Sequence, residues 1–125
     1  MKKLLTYTLP RTFNKYNIPI AIQSNYLKDY AKNNHFEFSL PVTEIKTKNI
    51  YIQLKKITSK KPINIAMVSI FILPVEDLKL LKSIMYGINV NTKFHFALEK
   101  LVLNKSEIKN WAYEYVKYKR VINFF

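Results

Sequence analysis

The chain has 125 residues, no cysteine, one glycine and a net charge of +13 from 21 basic and 8 acidic side chains. That length holds one domain (1–125) with one core, and an apolar share of 49% can fill it. The composition excludes disulfides, thiolate nucleophiles and cysteine zinc sites, and no run reaches the roughly 20 apolar residues of a membrane helix.

Leu4 to Leu9 alternates and predicts a first strand. Pro10 to Asn17 is a polar loop carrying Arg11, Thr12 and Asn14. A helix is expected over Ile18–Asn33, with Pro19 in its first turn and Ile20, Leu27, Tyr30 and Ala31 on one buried stripe. Phe36, Phe38 and Leu40 alternate as a second strand, and Pro41 to Lys48 reads as a loop with Thr43 and Glu44. Ile50, Leu54 and Ile57 recur at i, i+4, i+7 and predict a second helix, closed by Lys60-Lys61-Pro62.

Ile63 to Leu73 is apolar on both faces, as in the middle of a parallel sheet. It runs into Pro74-Val75-Glu76-Asp77, where Pro74 suits a first helical turn and the two acids suit a helix N-terminus. The third helix is expected over Val75–Ile88, on the stripe Leu78, Leu81, Met85 and Ile88, with Gly87 as a left-handed stop. Phe94 to Leu98 is a fourth strand, which Leu101–Leu103 continues or flanks as a short edge piece. Asn104 or Ser106 caps a last helix on the stripe Ile108, Trp111, Tyr115 and Tyr118. The strict alternation predicts an α/β fold: a three-layer sandwich of a four-stranded, mostly parallel sheet with helices on both faces.

One glycine cannot build a phosphate-cradling loop, so no nucleotide site of the usual design is expected. His35 and His95 lack metal-site spacing, and no Gly-x-Ser-x-Gly elbow is present. No metal and no cofactor is therefore expected. Polar residues instead gather at or near the predicted strand ends, which in a parallel sheet share one edge. Arg11 follows strand one. In a chain that otherwise uses lysine, it points to a planar fork for a carboxylate or phosphate. Ser39 and Ser69 sit in strands two and three, and Gln23 in the second turn of the first helix; with Arg11 they are the expected ligand-binding groups. Glu44, His95 and Glu99 are the expected proton donors and acceptors. Ordinary roles stand beside these: Ser69 as a small residue for close packing, His95 as a satisfied buried histidine, Glu44 and Glu99 as solvated acids.

The basic balance suggests an anionic partner. Only Arg11 and Arg120 are arginines, however, and a lysine excess without arginine is a weak nucleic-acid footprint. The tail from Trp111 to Phe125 mixes Tyr113, Tyr115, Tyr118, Phe124 and Phe125 with Lys117, Lys119 and Arg120. The expected role of this tail is to cover the sheet or dock on a neighbouring subunit. The start, Met-Lys-Lys-Leu-Leu, meets polar Thr6, Thr8, Arg11 and Asn14 too soon for the roughly 7–15-residue apolar segment of a signal peptide. A cytoplasmic protein without membrane insertion is expected.

Tyr7 through Arg11, Phe13, Ile18-Pro19, Gln23, Asp29-Tyr30, Thr43-Glu44, Asn49, Tyr51, Leu54, Ser69 through Pro74 and Phe94 through Glu99 together form a spaced set across most of the chain. In this set the chain resembles the bacterial sporadic carbohydrate cluster protein family, small proteins encoded among surface-polysaccharide biosynthesis genes. Ser24 departs from the asparagine expected after Gln23. The resemblance implies a role in making a sugar or glycan and implies no reaction. The residue inventory itself, which offers only placed proton donors and acceptors, suits an accessory protein or a cofactor-free enzyme acting on a sugar derivative by isomerisation, epimerisation or elimination. The expected partners are a sugar or sugar-derivative ligand and, through the apolar tail, a second copy of the chain or a pathway enzyme. More distantly, the chain is similar to the catalytic domain of serine recombinases, a resolvase- or flavodoxin-like plan. Thr12, Phe13 and Asn14 follow Arg11 where that family needs its serine, and Pro74-Val75-Glu76 replaces its arginine pair. A nucleic-acid-binding module without catalysis and a scaffold for a pathway enzyme are the alternative expectations.

Overall fold

A computed structural model describes residues 1–47, 50–58 and 61–124, with only the backbone for 123 and 124. Lys48, Asn49, Lys60, Phe125 and the Phe124 side chain, which enter the expectations above, lie outside the described residues. The fold is mixed α/β. Its elements are β1 (Lys3–Thr8), α1 (Ile20–Asn33), β2 (Glu37–Phe38), β3 (Val42–Thr43), α2 (Ile52–Thr58), β4 (Asn64–Met67), α3 (Leu78–Tyr86), β5 (Lys93–Phe96), β6 (Leu101–Leu103) and α4 (Lys105–Phe124).

The described residues form an open, six-stranded sheet ordered β2-β1-β4-β5-β6, with β3 also on β1. Every pairing is parallel except β5 with β6. Six strands replace the expected four for two reasons. First, the second strand is broken. Leu4 pairs with Phe38 and Tyr7 with Val42, so β2 and β3 together carry one residue more than the β1 stretch they face. That is the signature of a bulge. It falls at Ser39, Leu40 and Pro41, where proline has no N–H to give a ladder and Leu40 points to solvent. Second, Leu101–Leu103 reverses direction and forms an antiparallel edge.

The long apolar run is shorter as a strand than its pattern implies. β4 ends at Met67, and Ile70–Ile72 forms a 3-10 turn. The Ser69 hydroxyl caps this turn by accepting from the Phe71 N–H at 3.1 Å. Ile65, Ala66, Met67, Val68, Ile70, Ile72 and Leu73 are all buried, so strand and turn look alike in hydropathy. Leu73 is extended, as the residue before a proline should be.

Helix ends differ in the same way. Pro19 is the residue before α1 rather than in its first turn. Asp77, not Pro74, starts α3, its carboxylate accepting from the Leu80 N–H at 3.1 Å. Glu76 stays outside that helix and pairs with Lys119. Gly87 ends α3 at φ −88°, so it is not a left-handed stop, and a side chain there would meet open space. Asn104 caps α4 reciprocally with Glu107, each accepting from the other's N–H.

The core is one cluster. Tyr7, Phe94 and Phe96 are its largest members, joined by Leu27 and Ala31 from α1, Leu81, Ile84 and Met85 from α3, and Ile108 and Ala112 from α4. α1 packs on β1 and β4, α3 on α4, and α4 on β6. Trp111 and Tyr115 stack on each other and meet the Phe71 ring edge-on. The expected stripe on α4 continues past them to Tyr118, which is mostly exposed.

Candidate functional site

β1, β4 and β5 run parallel, so Arg11, Ser69 and Glu99 all follow strand ends on one edge of the sheet. The chain leaves β1 for β2 on one side and returns to β4 on the other. The gap between the ends of β1 and β4 is therefore a switch point, where open α/β sheets hold ligands. An open cleft of about 660 Å³ lies there. Leu9, Arg11, Asn14 and Lys15 line it from the loop after β1, Phe71 to Asp77 from the turn after β4, Lys46 and Tyr51 from the segment around α2, and Lys119 from α4.

Arg11 reaches this cleft, but most of its fork is already engaged. Its guanidinium donates to the carbonyls of Ile45 (3.3 Å), Thr47 and Ile50 (3.1 Å), and lies 4.8 Å from the Tyr51 ring centroid. It clamps the loop into α2 and leaves its positive charge at the cleft wall, with no carboxylate paired to it among the described residues. The clamp makes Arg11 structural as well as electrostatic. Arg11→Lys should lower the unfolding free energy by about 1–2 kcal/mol in urea titrations, because a lysine cannot serve several carbonyls and a ring at once.

Lys15 is presented by a tight turn. Phe13 and Tyr16 exchange backbone hydrogen bonds at 3.0 and 2.8 Å around Asn14 and Lys15, which have φ of 47° and 66°. Asparagine accepts a left-handed position readily and lysine does not. Lys119 enters from α4 and pairs with Glu76, with its ammonium 5.8 Å from the Tyr115 ring centroid. The sequence alone gives no reason to place Lys15 and Lys46 in a site, and it marks Tyr51 only within the resemblance set and Lys119 only within the basic, aromatic tail. Among so many lysines, only the left-handed turn after Asn14 offered a local signal.

The other expected site residues form separate knots. Glu44 is buried and ties three segments together. One carboxylate oxygen accepts from the N–H groups of Ile45 (2.9 Å) and Gln53 (3.1 Å). The other accepts from the Tyr7 hydroxyl (2.8 Å) and the Leu54 N–H (3.1 Å). Burial pushes its pKa up, but these donors outweigh burial and hold it below the ordinary carboxylate value. The Tyr7 hydroxyl is pushed up, by burial first and then by Glu44.

Gln23 is fully buried and staples α1 to the end of β1. Its Oε1 accepts from the Leu9 N–H at 3.1 Å, and its Nε2 donates to the carbonyls of Leu9 (2.9 Å) and Ile18 (2.8 Å). Ser39 sits in the bulge, where its carbonyl accepts from Thr6 Oγ1 at 2.9 Å. Ser69 and Glu99 do meet. The serine hydroxyl donates to Glu99 Oε2 at 2.8 Å, and the Ile70 N–H donates to Oε1 at 2.7 Å. This pair ties the β5 end to the turn after β4 on the same rim as the cleft, without lining it.

His95 lies on the α1 side of the sheet and is almost fully buried. Its Nδ1 meets the Tyr30 hydroxyl at 2.8 Å and its Nε2 meets Asn64 Oδ1 at 3.0 Å. The amide oxygen can only accept, which assigns the proton to Nε2 and leaves Nδ1 to accept from the tyrosine. The rings of Tyr30 and Phe36 meet it edge-on. Burial first, then the charge of Lys93, lower its pKa to about 4.

Among the described residues, no group of three His, Asp or Glu side chains could hold a metal ion, and no helix is long and apolar enough to cross a membrane. Comparison with protein-family models, with curated proteins and with solved structures finds no match to this chain.

Proposed function

We propose that the chain binds an anionic sugar derivative, such as a sugar phosphate or an acidic sugar, in the cleft between the ends of β1 and β4, and that it serves surface carbohydrate biosynthesis in the cytoplasm. The observation that carries this reading is the cleft wall itself. Arg11, Lys15 and Lys46 bring positive charge to a switch point that also offers the partly exposed Phe71 ring as an apolar face. An anion answers the charge, and a sugar ring answers the mixture of that ring with Thr12, Asn14 and backbone groups. The resemblance to the sporadic carbohydrate cluster family supports the biosynthetic setting. A three-layer, flavodoxin-like arrangement with helices on both sheet faces is the finer fold reading that fits strand order β2-β1-β4-β5-β6.

A binding or accessory role suits the site better than catalysis. Glu44 and His95, two of the three expected proton-transfer groups, are buried among internal partners, and Glu99 holds a turn. The acids at the cleft, Glu76 and Asp77, pair with Lys119 and cap α3. Isothermal titration with a hexose 1-phosphate tests the reading. The double variant Lys15→Glu, Lys46→Glu should bind about tenfold more weakly or worse, while its melting temperature stays close to that of the parent, since both lysines are exposed. Unchanged affinity in the variant would refute the cleft as the anion site.

A further inference from the structure

A second groove lies away from the cleft, between α1 and the turn joining β5 to β6. Its volume is about 610 Å³, and Tyr26, Asp29, Tyr30, Asn33, Asn34 and Lys100 supply its polar lining. Tyr26, Asp29, Tyr30 and Asn33 share one helix face by their spacing of three and four. This groove contrasts with the cleft in charge. One carboxylate and one ammonium balance, in a chain whose net charge is +13.

Two of its hydrogen-bonding groups are held in place, and all keep capacity to spare. The Tyr30 hydroxyl gives its proton to His95 Nδ1 at 2.8 Å, and His95 is held in turn by Asn64 at 3.0 Å. With that proton directed inward, the Tyr30 oxygen is left as an acceptor. The Asn34 amide nitrogen donates to the Tyr30 carbonyl at 2.8 Å, which leaves Oδ1 as an acceptor. The side chains of Asp29, Asn33 and Lys100 have no partner among the described residues. Tyr26 keeps 43% of its surface exposed. Lys100 holds φ 57°, a left-handed conformation that glycine or asparagine would adopt at lower cost. The turn thus carries a long cationic donor where backbone geometry alone favours a residue without one.

We infer that this groove binds a neutral pyranose unit, its ring lying on Tyr26 and its hydroxyls meeting Asp29, Tyr30, Asn33 and Lys100. A pyranose offers an apolar C–H face and a rim of hydroxyls that both donate and accept. An aromatic ring beside a carboxylate, amides and an ammonium complements that pattern. The balanced charge gives no preference for an anion. The inference stands apart from the anionic cleft and does not rest on it.

Titrating the ¹⁵N-labelled protein with methyl glucopyranoside, galactopyranoside, mannopyranoside and N-acetylglucosaminide tests it by NMR. At least one glycoside should shift the amides of Tyr26 to Asn34 and of Lys100, with an affinity on the order of 1 mM that added salt does not weaken. Tyr26→Ala should cost about tenfold in affinity or abolish binding. Lys100→Gly separates site from scaffold: it should melt no lower than the parent, because glycine relieves the left-handed backbone, yet bind the glycoside more weakly. Charge reversal at Lys15 and Lys46 should leave glycoside binding intact, which keeps this test independent of the cleft. No shift with any glycoside would overturn the inference. So would full affinity in both Tyr26→Ala and Lys100→Gly.

Discussion

Acidification from pH 7 to pH 4 should cost the fold about 3 kcal/mol through His95 alone, the value of a pKa lowered from 6.5 to about 4. The sign follows from proton uptake. In the unfolded chain the imidazole takes a proton below about 6.5. In the folded protein it refuses one until about 4, first because it is buried and then because Lys93 opposes a second positive charge. The contribution is complete above the unfolded value and is lost as pH falls through that window. Urea unfolding at several pH values between 7.5 and 4 should show stability falling steadily with acid. His95→Gln should be less stable at pH 7, because it breaks the Tyr30–His95–Asn64 chain, and should have a much shallower pH slope. An equally steep slope in His95→Gln would contradict the account of His95 as a neutral, buried link.

Glu44→Ala should be the most damaging single substitution outside the apolar core. It strands the Tyr7 hydroxyl and the N–H groups of Ile45, Gln53 and Leu54, and it detaches α2 from β1 and β3. Breaking a buried, charged hub of this kind costs about 3–5 kcal/mol, a large part of the roughly 5–15 kcal/mol that holds a domain folded. Tyr7→Phe removes one of the four donors and should cost about 1 kcal/mol. In the double variant the two losses should add to less than their sum, since they share a bond. The carboxyl is held below its ordinary value, so its contribution is present above that value and is lost as pH falls past it, starting at the acid end of the His95 window and continuing below it. Chemical denaturation of the single and double variants measures both magnitudes. A Glu44→Ala protein as stable as the parent would mean that the carboxylate is a solvated surface acid.

The sequence was legible where one face of an element is buried and the other wet. Leu27 and Ala31 on α1 and Ile108 and Trp111 on α4 announce their helices through period alone. It was misleading where both faces are buried. From Ile65 to Leu73 nothing in hydropathy separates β4 from the 3-10 turn, because the turn depends on Glu99, 29 residues from Ile70 in sequence. The same distance effect governs the site residues. Arg11 stands out by rarity, and it does line the cleft. The role of Glu44 depends on Tyr7 and on α2, and that of His95 on Tyr30 and Asn64, all contributed by other segments. Glu44 and Glu99, expected from the sequence as proton donors and acceptors, both hold backbone N–H groups in the fold. Lys46 has no local mark at all, and Lys119 is marked only as one cation of the aromatic tail. Only the return of the chain from β2 and β3 to β4, and the length of α4, bring them to one cleft.

The proposed occupant of the cleft at the ends of β1 and β4 is an anionic sugar derivative. An NMR titration of the labelled protein with a hexose 1-phosphate, run beside the same hexose without phosphate, tests it most directly. The phosphate ester should shift the amides of Leu9 to Lys15, Lys46 and Phe71 to Asp77, saturably and less strongly as salt is raised, while the neutral hexose leaves them in place. Shifts scattered over lysines across the whole surface, or identical shifts from both sugars at the cleft, would contradict it.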